Sequence, residues 1–167
     1  MATEFDVIVI GVGGMGSAAC FELARRGCRV LGLEQFELGH DRGSSHGQTR
    51  IIRTAYYEHP NYVPLVRRSF DRWYELERLT GRHLLTECGC LSLGLPESEV
   101  VAGVKQAAAQ HGLPVETLAA SDLRRRYSQF RFGDDYVGVL ERQAGFLYVE
   151  RCVQAHIAAA VQHGATI

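Results

Sequence analysis

The chain has 167 residues, enough for one ordinary domain with a sizeable core. Hydrophobic residues make up 46% and charged residues 22%, a globular balance that excludes a disordered chain. Lys+Arg 18 against Asp+Glu 19 leave a formal net charge of -1, which excludes a nucleic-acid binder held by bulk charge.

The first element is Phe5-Asp6-Val7-Ile8-Val9-Ile10, a short β-branched run that reads as a buried strand. It runs into Gly11-Val12-Gly13-Gly14-Met15-Gly16, a full G-x-G-x-x-G. Ser17 to Arg26 read as a helix packed on a sheet, Gly27 closes it, and Arg29 to Leu33 form a second strand. Glu34 ends that strand eighteen residues after Gly16. This is a β-α-β dinucleotide fingerprint. Gly11 permits the tight turn, Gly13 the approach of a pyrophosphate, and Gly16 close helix–strand packing. The helix N-terminus offers amides and a positive dipole end to that pyrophosphate. Glu34 can accept from the adenosine ribose hydroxyls, and its charge disfavours the 2′-phosphate of NADP. Gly11, Gly13, Gly16 and Gly27 also fit a longer glycine frame that leans to FAD, with Cys20 at a position usually held by Gly or Ala.

Gly43-Ser44-Ser45 forms a loop with amides and hydroxyls free for phosphate or ribityl contacts. Thr49 to Tyr56 has helical character, so Arg50 and Arg53 at i, i+3 are expected on one face, with Ile51 and Ile52 in the core. Two guanidiniums so placed suit anion recognition. A helix is expected from about Pro64 to Leu79, burying Leu65, Phe70, Trp73, Tyr74 and Leu76. Strands follow at Cys88–Leu93, Val115–Leu118 and Tyr136–Leu140, with a helix at Glu99–His111 and another capped by Ser121 through about Tyr127. Val149 to His163 form a last helix with Val153, Ile157 and Val161 on its apolar side.

The five cysteines are an odd number and do not suggest a disulfide framework, and Cys88-Gly89-Cys90 without a second pair is poor support for zinc. No metal site is expected. No apolar run approaches the ~18 residues of a membrane span, and Glu4 and Asp6 replace the basic start of a secretory signal. A cytoplasmic protein that binds neither membrane nor nucleic acid is expected.

Gly43-Ser44-Ser45-His46-Gly47-Gln48-Thr49-Arg50-Ile51-Ile52-Arg53 is the most specific segment. With the N-terminal fingerprint, Glu58-His59-Pro60-Asn61-Tyr62-Val63-Pro64-Leu65, Trp73-Tyr74-Glu75-Leu76-Glu77, Cys88 to Gly94 and Ala144 to Leu147, it closely resembles the monomeric sarcosine oxidase and N-methyltryptophan oxidase family. The resemblance covers essentially the whole chain. It implies an α/β fold like that of D-amino-acid oxidase: a Rossmann-type FAD-binding β-α-β with part of a mixed-sheet substrate domain. Residues 1–80 are then expected to bind FAD, 81–148 to belong to the substrate domain, and 149–167 to return to the FAD-binding sheet.

The family's activity would be oxidation of a secondary N-methyl amino acid by flavin and molecular oxygen, giving imine and hydrogen peroxide. By resemblance Arg53 would pair with the substrate carboxylate and Arg50 would lie against the flavin ring, with Thr49 and His46 in the same site. Cofactor contacts would come from Gly11, Gly13, Gly14, Met15, Gly16, Glu34, Gln35, Gly43, Ser44 and Arg50. The family's flavin-linking cysteine and two active-site lysines would lie beyond Ile167, so the chain reads as the N-terminal portion of a larger enzyme, monomeric at full length and inactive as the isolated portion. Another FAD-dependent dehydrogenase of the same fold, or an inactive nucleotide-binding fragment, remains open on the sequence.

Overall fold

A computed structural model describes residues 4–167. They divide into two compact units, one formed by the described part of Met1–Arg50 with Arg72–Leu85 and Leu147–Ile167, the other by Ile51–Asp71 and Thr86–Phe146. Helix α2 (Tyr62–Thr80) is the one helix that belongs to both.

In the first unit, β1 (Val7–Ile10) pairs in parallel with β2 (Val30–Leu33), Val7 against Val30 and Ile10 against Leu33. Thr166 bridges the other side of β2 at Leu31, also in parallel. Helix α1 (Gly14–Ala24) joins the two strands, and α5 (Val149–Gln162) packs on it. Small residues dominate the shared core: Cys20 and Ala24 of α1 with Cys152, Ala155, Ala159 and Ala160 of α5. Small side chains at a helix crossing let the two axes approach closely. Larger groups fill the rest, namely Phe21, Leu76 and Leu84. His156 lies 5.2 Å from Trp73 and 6.1 Å from Phe21 between ring centroids, and burial lowers its pKa to about 4, so it stays neutral.

Several sequence expectations need correction here. Helix α1 starts three residues before Ser17, inside the glycine motif, because Gly13 supplies its N-cap. The first strand is not buried on both faces: Ile8 is 56% and Ile10 86% exposed, while Val9 packs on the helical core. Cys20 at the small-residue position is accommodated by Gly32, where a Cβ would stand 3.2 Å from the Cys20 sulfur. On α5, Val153 is buried but Val161 is 53% exposed.

In the second unit, β5 (Cys90–Gly94), β7 (Val137–Glu141) and β6 (Val115–Ala119) form an antiparallel sheet with β7 in the middle. Helix α3 (Glu99–His111) covers it, packing Val101 and Val104 with Val139 and Ala55. Helix α4 (Ala120–Arg126) follows β6 directly. Its N-cap is Ala119 and not Ser121, because the strand runs into the helix with no residue spare for a capping turn. A second sheet has the order β3 (Arg50–Arg53), β8 (Ala144–Leu147), β4 (Leu85–Glu87).

The strand β3 overturns the helical expectation for Thr49–Tyr56. Pairing with β8 decides the matter, and an extended strand alternates its side chains. Arg50 and Arg53, three apart, therefore point to opposite faces of β3. Ile52 is buried as expected, but Ile51 is 62% exposed. On α2, Phe70 and Leu76 are buried as expected, whereas Leu65 is 68% exposed.

Candidate functional site

The first unit carries a cleft of about 660 Å³ at the end of β1 and β2. Gly11, Gly13, Gly14, Met15, Gly16, Glu34, Gln35, Gly43 and Ser44 all line it. Its floor is the glycine turn. Gly11 adopts φ +85°, a left-handed conformation that L side chains rarely take, and donates its N–H to Leu33 O at 2.8 Å. Gly16 has no room for a side chain, since a Cβ there would lie 1.8 Å from the Gly11 carbonyl oxygen. At Gly13, by contrast, a Cβ would meet nothing closer than Ser45 Oγ at 3.8 Å, so this backbone is open to an incoming group. The first turn of α1 thus presents amides and a positive dipole end at the cleft.

Glu34 is tied to that turn. Its Oε2 accepts from Val12 N at 2.8 Å, and Oε1 accepts from Gln35 N at 2.8 Å and Phe36 N at 3.3 Å. These amides, that of Val12 foremost, hold its carboxyl below the ordinary carboxylate range. The charge is therefore fixed in place; Oε1 already accepts two amides, and Oε2, accepting one, retains capacity for a hydroxyl. His40 Nε2 stands 3.4 Å from Oε1, and Phe36 is flanked by the His40 ring at 5.0 Å and the Arg42 guanidinium at 5.0 Å.

The loop leading to β3 is pinned at several points within this unit. Ser45 Oγ accepts from Gly14 N at 3.1 Å, and Glu150 Oε1 accepts from Gly47 N at 2.9 Å. Arg50 folds back on the loop, donating to Thr49 O at 2.8 Å, His46 O at 2.9 Å and Ser44 O. Thr49 and His46 meet Arg50 through their backbone carbonyls, leaving their side chains exposed. Neither they nor Arg50 are among the residues lining the cleft.

Sequence reading overlooked Phe36, His40, Arg42 and Glu150. It expected the Ser45 hydroxyl to be free, whereas that oxygen accepts from Gly14 N. Glu150, 103 positions from its partner, left no local signal.

Arg53 lies in the second unit. Its Nη2 donates to both oxygens of Glu58, at 2.6 and 2.8 Å, and its guanidinium covers the rings of Tyr56 at 4.8 Å and Tyr57 at 4.6 Å. Aromatic faces favour a cation, and a paired carboxylate orients it. Its Nε is buried without a hydrogen-bond partner. Among the described residues, no group of three or more His, Cys, Asp and Glu is placed to hold a metal ion, and no helix is long and apolar enough to cross a membrane.

Comparison with known proteins places the chain among flavin-dependent enzymes. The chain is 47% identical over its whole length to the monomeric sarcosine oxidase of Streptomyces avermitilis, and 40% identical over 98% of its length to the N-methyl-L-tryptophan oxidase of Yersinia pestis. It spans 44% of the length of each of these relatives. Among solved structures it superposes on NikD, described as an unusual amino acid oxidase essential for nikkomycin biosynthesis, with a TM-score of 0.85 and 30% identity, covering 98% of this chain and 43% of that one. Residues 6–167 match the FAD dependent oxidoreductase family, DAO, and the chain belongs to that family.

Proposed function

We propose that this chain provides the FAD-binding and substrate-carboxylate parts of an oxidase of secondary N-methyl amino acids. The observation that carries the reading is the cleft itself, where an open Gly13 backbone, the N-terminus of α1 and the anchored Glu34 carboxylate stand together. Glu34 would take the adenosine ribose, while the amides of Gly13, Gly14, Met15 and Gly16 would take the pyrophosphate. Gly11 shapes the turn, and Gln35, Gly43 and Ser44 would complete the wall. Arg50 would hold the loop that faces the flavin ring and lend it positive charge, with His46 and Thr49 beside it. FAD, when bound, supplies the two-electron acceptor that converts the amine to an imine and passes the electrons to oxygen as hydrogen peroxide.

The first unit is then the cofactor part, and the second contributes to the substrate part through Arg53. A substrate carboxylate would take the place Glu58 holds on Arg53, sitting over the same two tyrosine rings. The names of the relatives support a sarcosine-like or N-methyltryptophan-like substrate and a monomeric enzyme. The five free cysteines suit the reducing cytoplasm.

The test is binding of FAD and of sarcosine to the protein and to Arg53→Ala. A charge-assisted pair is worth about 1.5–3 kcal/mol, so sarcosine affinity should fall roughly 10- to 150-fold while flavin affinity stays. A variant that loses flavin and keeps sarcosine would refute the assignment.

A further inference from the structure

We propose that Glu141 is a positioning residue for Arg53, fixing the backbone that follows it and keeping a second carboxylate oxygen uncommitted in its company. This rests on the reading of Arg53 as the substrate-carboxylate residue. Glu141 ends β7, the central strand of its sheet, in register with Cys90 on one side and Val115 on the other. It is 3% exposed. A buried charge in such a place is unfavourable unless paired and hydrogen-bonded.

Half of the carboxylate is accounted for. Oε2 accepts from the N–H groups of Thr54 and Ala55, each at 2.8 Å, the two residues directly after Arg53. Thr54 is held further by its hydroxyl, which donates to Gln143 O at 2.8 Å. Both bonds place the chain at the end of β3 and so the root of the Arg53 side chain. Oε1 is buried and has no hydrogen-bond partner, and Arg53 Nε is likewise buried and unpartnered.

Burial is the largest influence on Glu141 and raises its carboxyl above the ordinary carboxylate range; the amides of Ala55 and Thr54, and after them the Arg53 guanidinium, act against it. Arg53 thus has Glu58 on its outer nitrogen, while Glu141 holds the two amides that follow it. When the outer nitrogen exchanges Glu58 for a substrate carboxylate, the negative charge of Glu141 stays with the guanidinium. The cation is never left half-buried without a counter-charge, and its direction is kept through the exchange.

The experiment uses isotope-labelled protein, reading the Arg53 Nε–H resonance and the Glu141 Cδ shift by NMR, with sarcosine binding measured alongside. Glu141→Gln keeps the shape and an acceptor but removes the charge. It should move the Arg53 Nε–H resonance and weaken sarcosine about tenfold. Leu123→Ala, a fully buried residue of α4, should lower stability without moving the Arg53 resonance. An Arg53 resonance unchanged in Glu141→Gln overturns the proposal. So does a Glu141 carboxyl found protonated at pH 7 in the parent, a measurement that holds even if the variant fails to fold. If Arg53→Ala leaves sarcosine affinity unchanged, the substrate reading fails, while the resonance still decides the role of Glu141.

Discussion

Gly13 and Gly16 stand three residues apart in one turn, yet alanine should affect them in opposite ways. At Gly16 the new Cβ would lie 1.8 Å from Gly11 O, 2.9 Å from Gly11 C and 3.3 Å from a Val9 methyl. The obstacle is backbone, so no side-chain rotation relieves it, and α1 must move off β1. Overpacking of this kind costs about 3 kcal/mol, the upper end of its usual range. For a chain of this size each kcal/mol is worth ~2–4 °C, so the melting temperature should fall by roughly 6–12 °C. At Gly13 the nearest atom is 3.8 Å away and the backbone has φ -77°, which alanine adopts freely. Stability there should fall by only about 1 kcal/mol, the loss of alanine against glycine at an N-cap. The new methyl would nevertheless occupy the face from which a pyrophosphate approaches, displacing one charge-assisted bond and lowering FAD affinity roughly 10- to 150-fold. Thermal melts by circular dichroism without flavin, together with quenching of flavin fluorescence on titration, separate the two effects. Equal destabilisation by both variants, or a Gly16→Ala melt unchanged from the parent, would refute the reasoning.

Two further outcomes follow from the titrating groups. Asp6 accepts from Arg29 Nε at 3.1 Å and Nη2 at 2.7 Å, which with the Arg29 amide lowers its pKa from 3.8 to about 2. Because the folded value is the lower one, its stabilisation is complete above 3.8 and is lost as the pH falls through about 2. Denaturant melts of Asp6→Asn should therefore differ from the parent at pH 6 and converge with it in strong acid. Cys88 is exposed, whereas Cys152 is 4% exposed with its thiol pushed up to about 12 by burial. A thiol-alkylating reagent read by mass spectrometry should label Cys88 in the native protein and reach Cys152 only on unfolding.

The glycine turn was legible in the sequence because its determinants are local: glycine where φ is positive or space is absent, and an acid one strand later. Helix α3 was legible end to end, as Gly112 at φ +60° closes it with a left-handed cap. What the sequence hid depends on distant partners. Arg50-Ile51-Ile52-Arg53 suits a short strand or a helical turn equally, and only pairing with β8 makes it extended. Strand β4 likewise drew no expectation, being three residues long. Glu141 was invisible for a related reason. A carboxylate in a strand reads as a solvent-facing residue until the amides that need it, 87 and 86 positions earlier, fold against it. Glu34 shows the same limit: its place at the end of β2 was legible, but its grip on Val12 was not.

The packing of α1 on α5 also sets an order of events during synthesis. The β1-α1-β2 segment leaves the ribosome ahead of α5, whose alanine face, which buries Cys20, Phe21 and Ala24, arrives roughly 125 residues later. At ~5–20 residues per second that is a wait of about 6–25 s. Through that interval the glycine turn exists beside an apolar helix face without its cover. Closing so long a loop is slow, and the nascent chain should depend on chaperones until α5 emerges to cover that face.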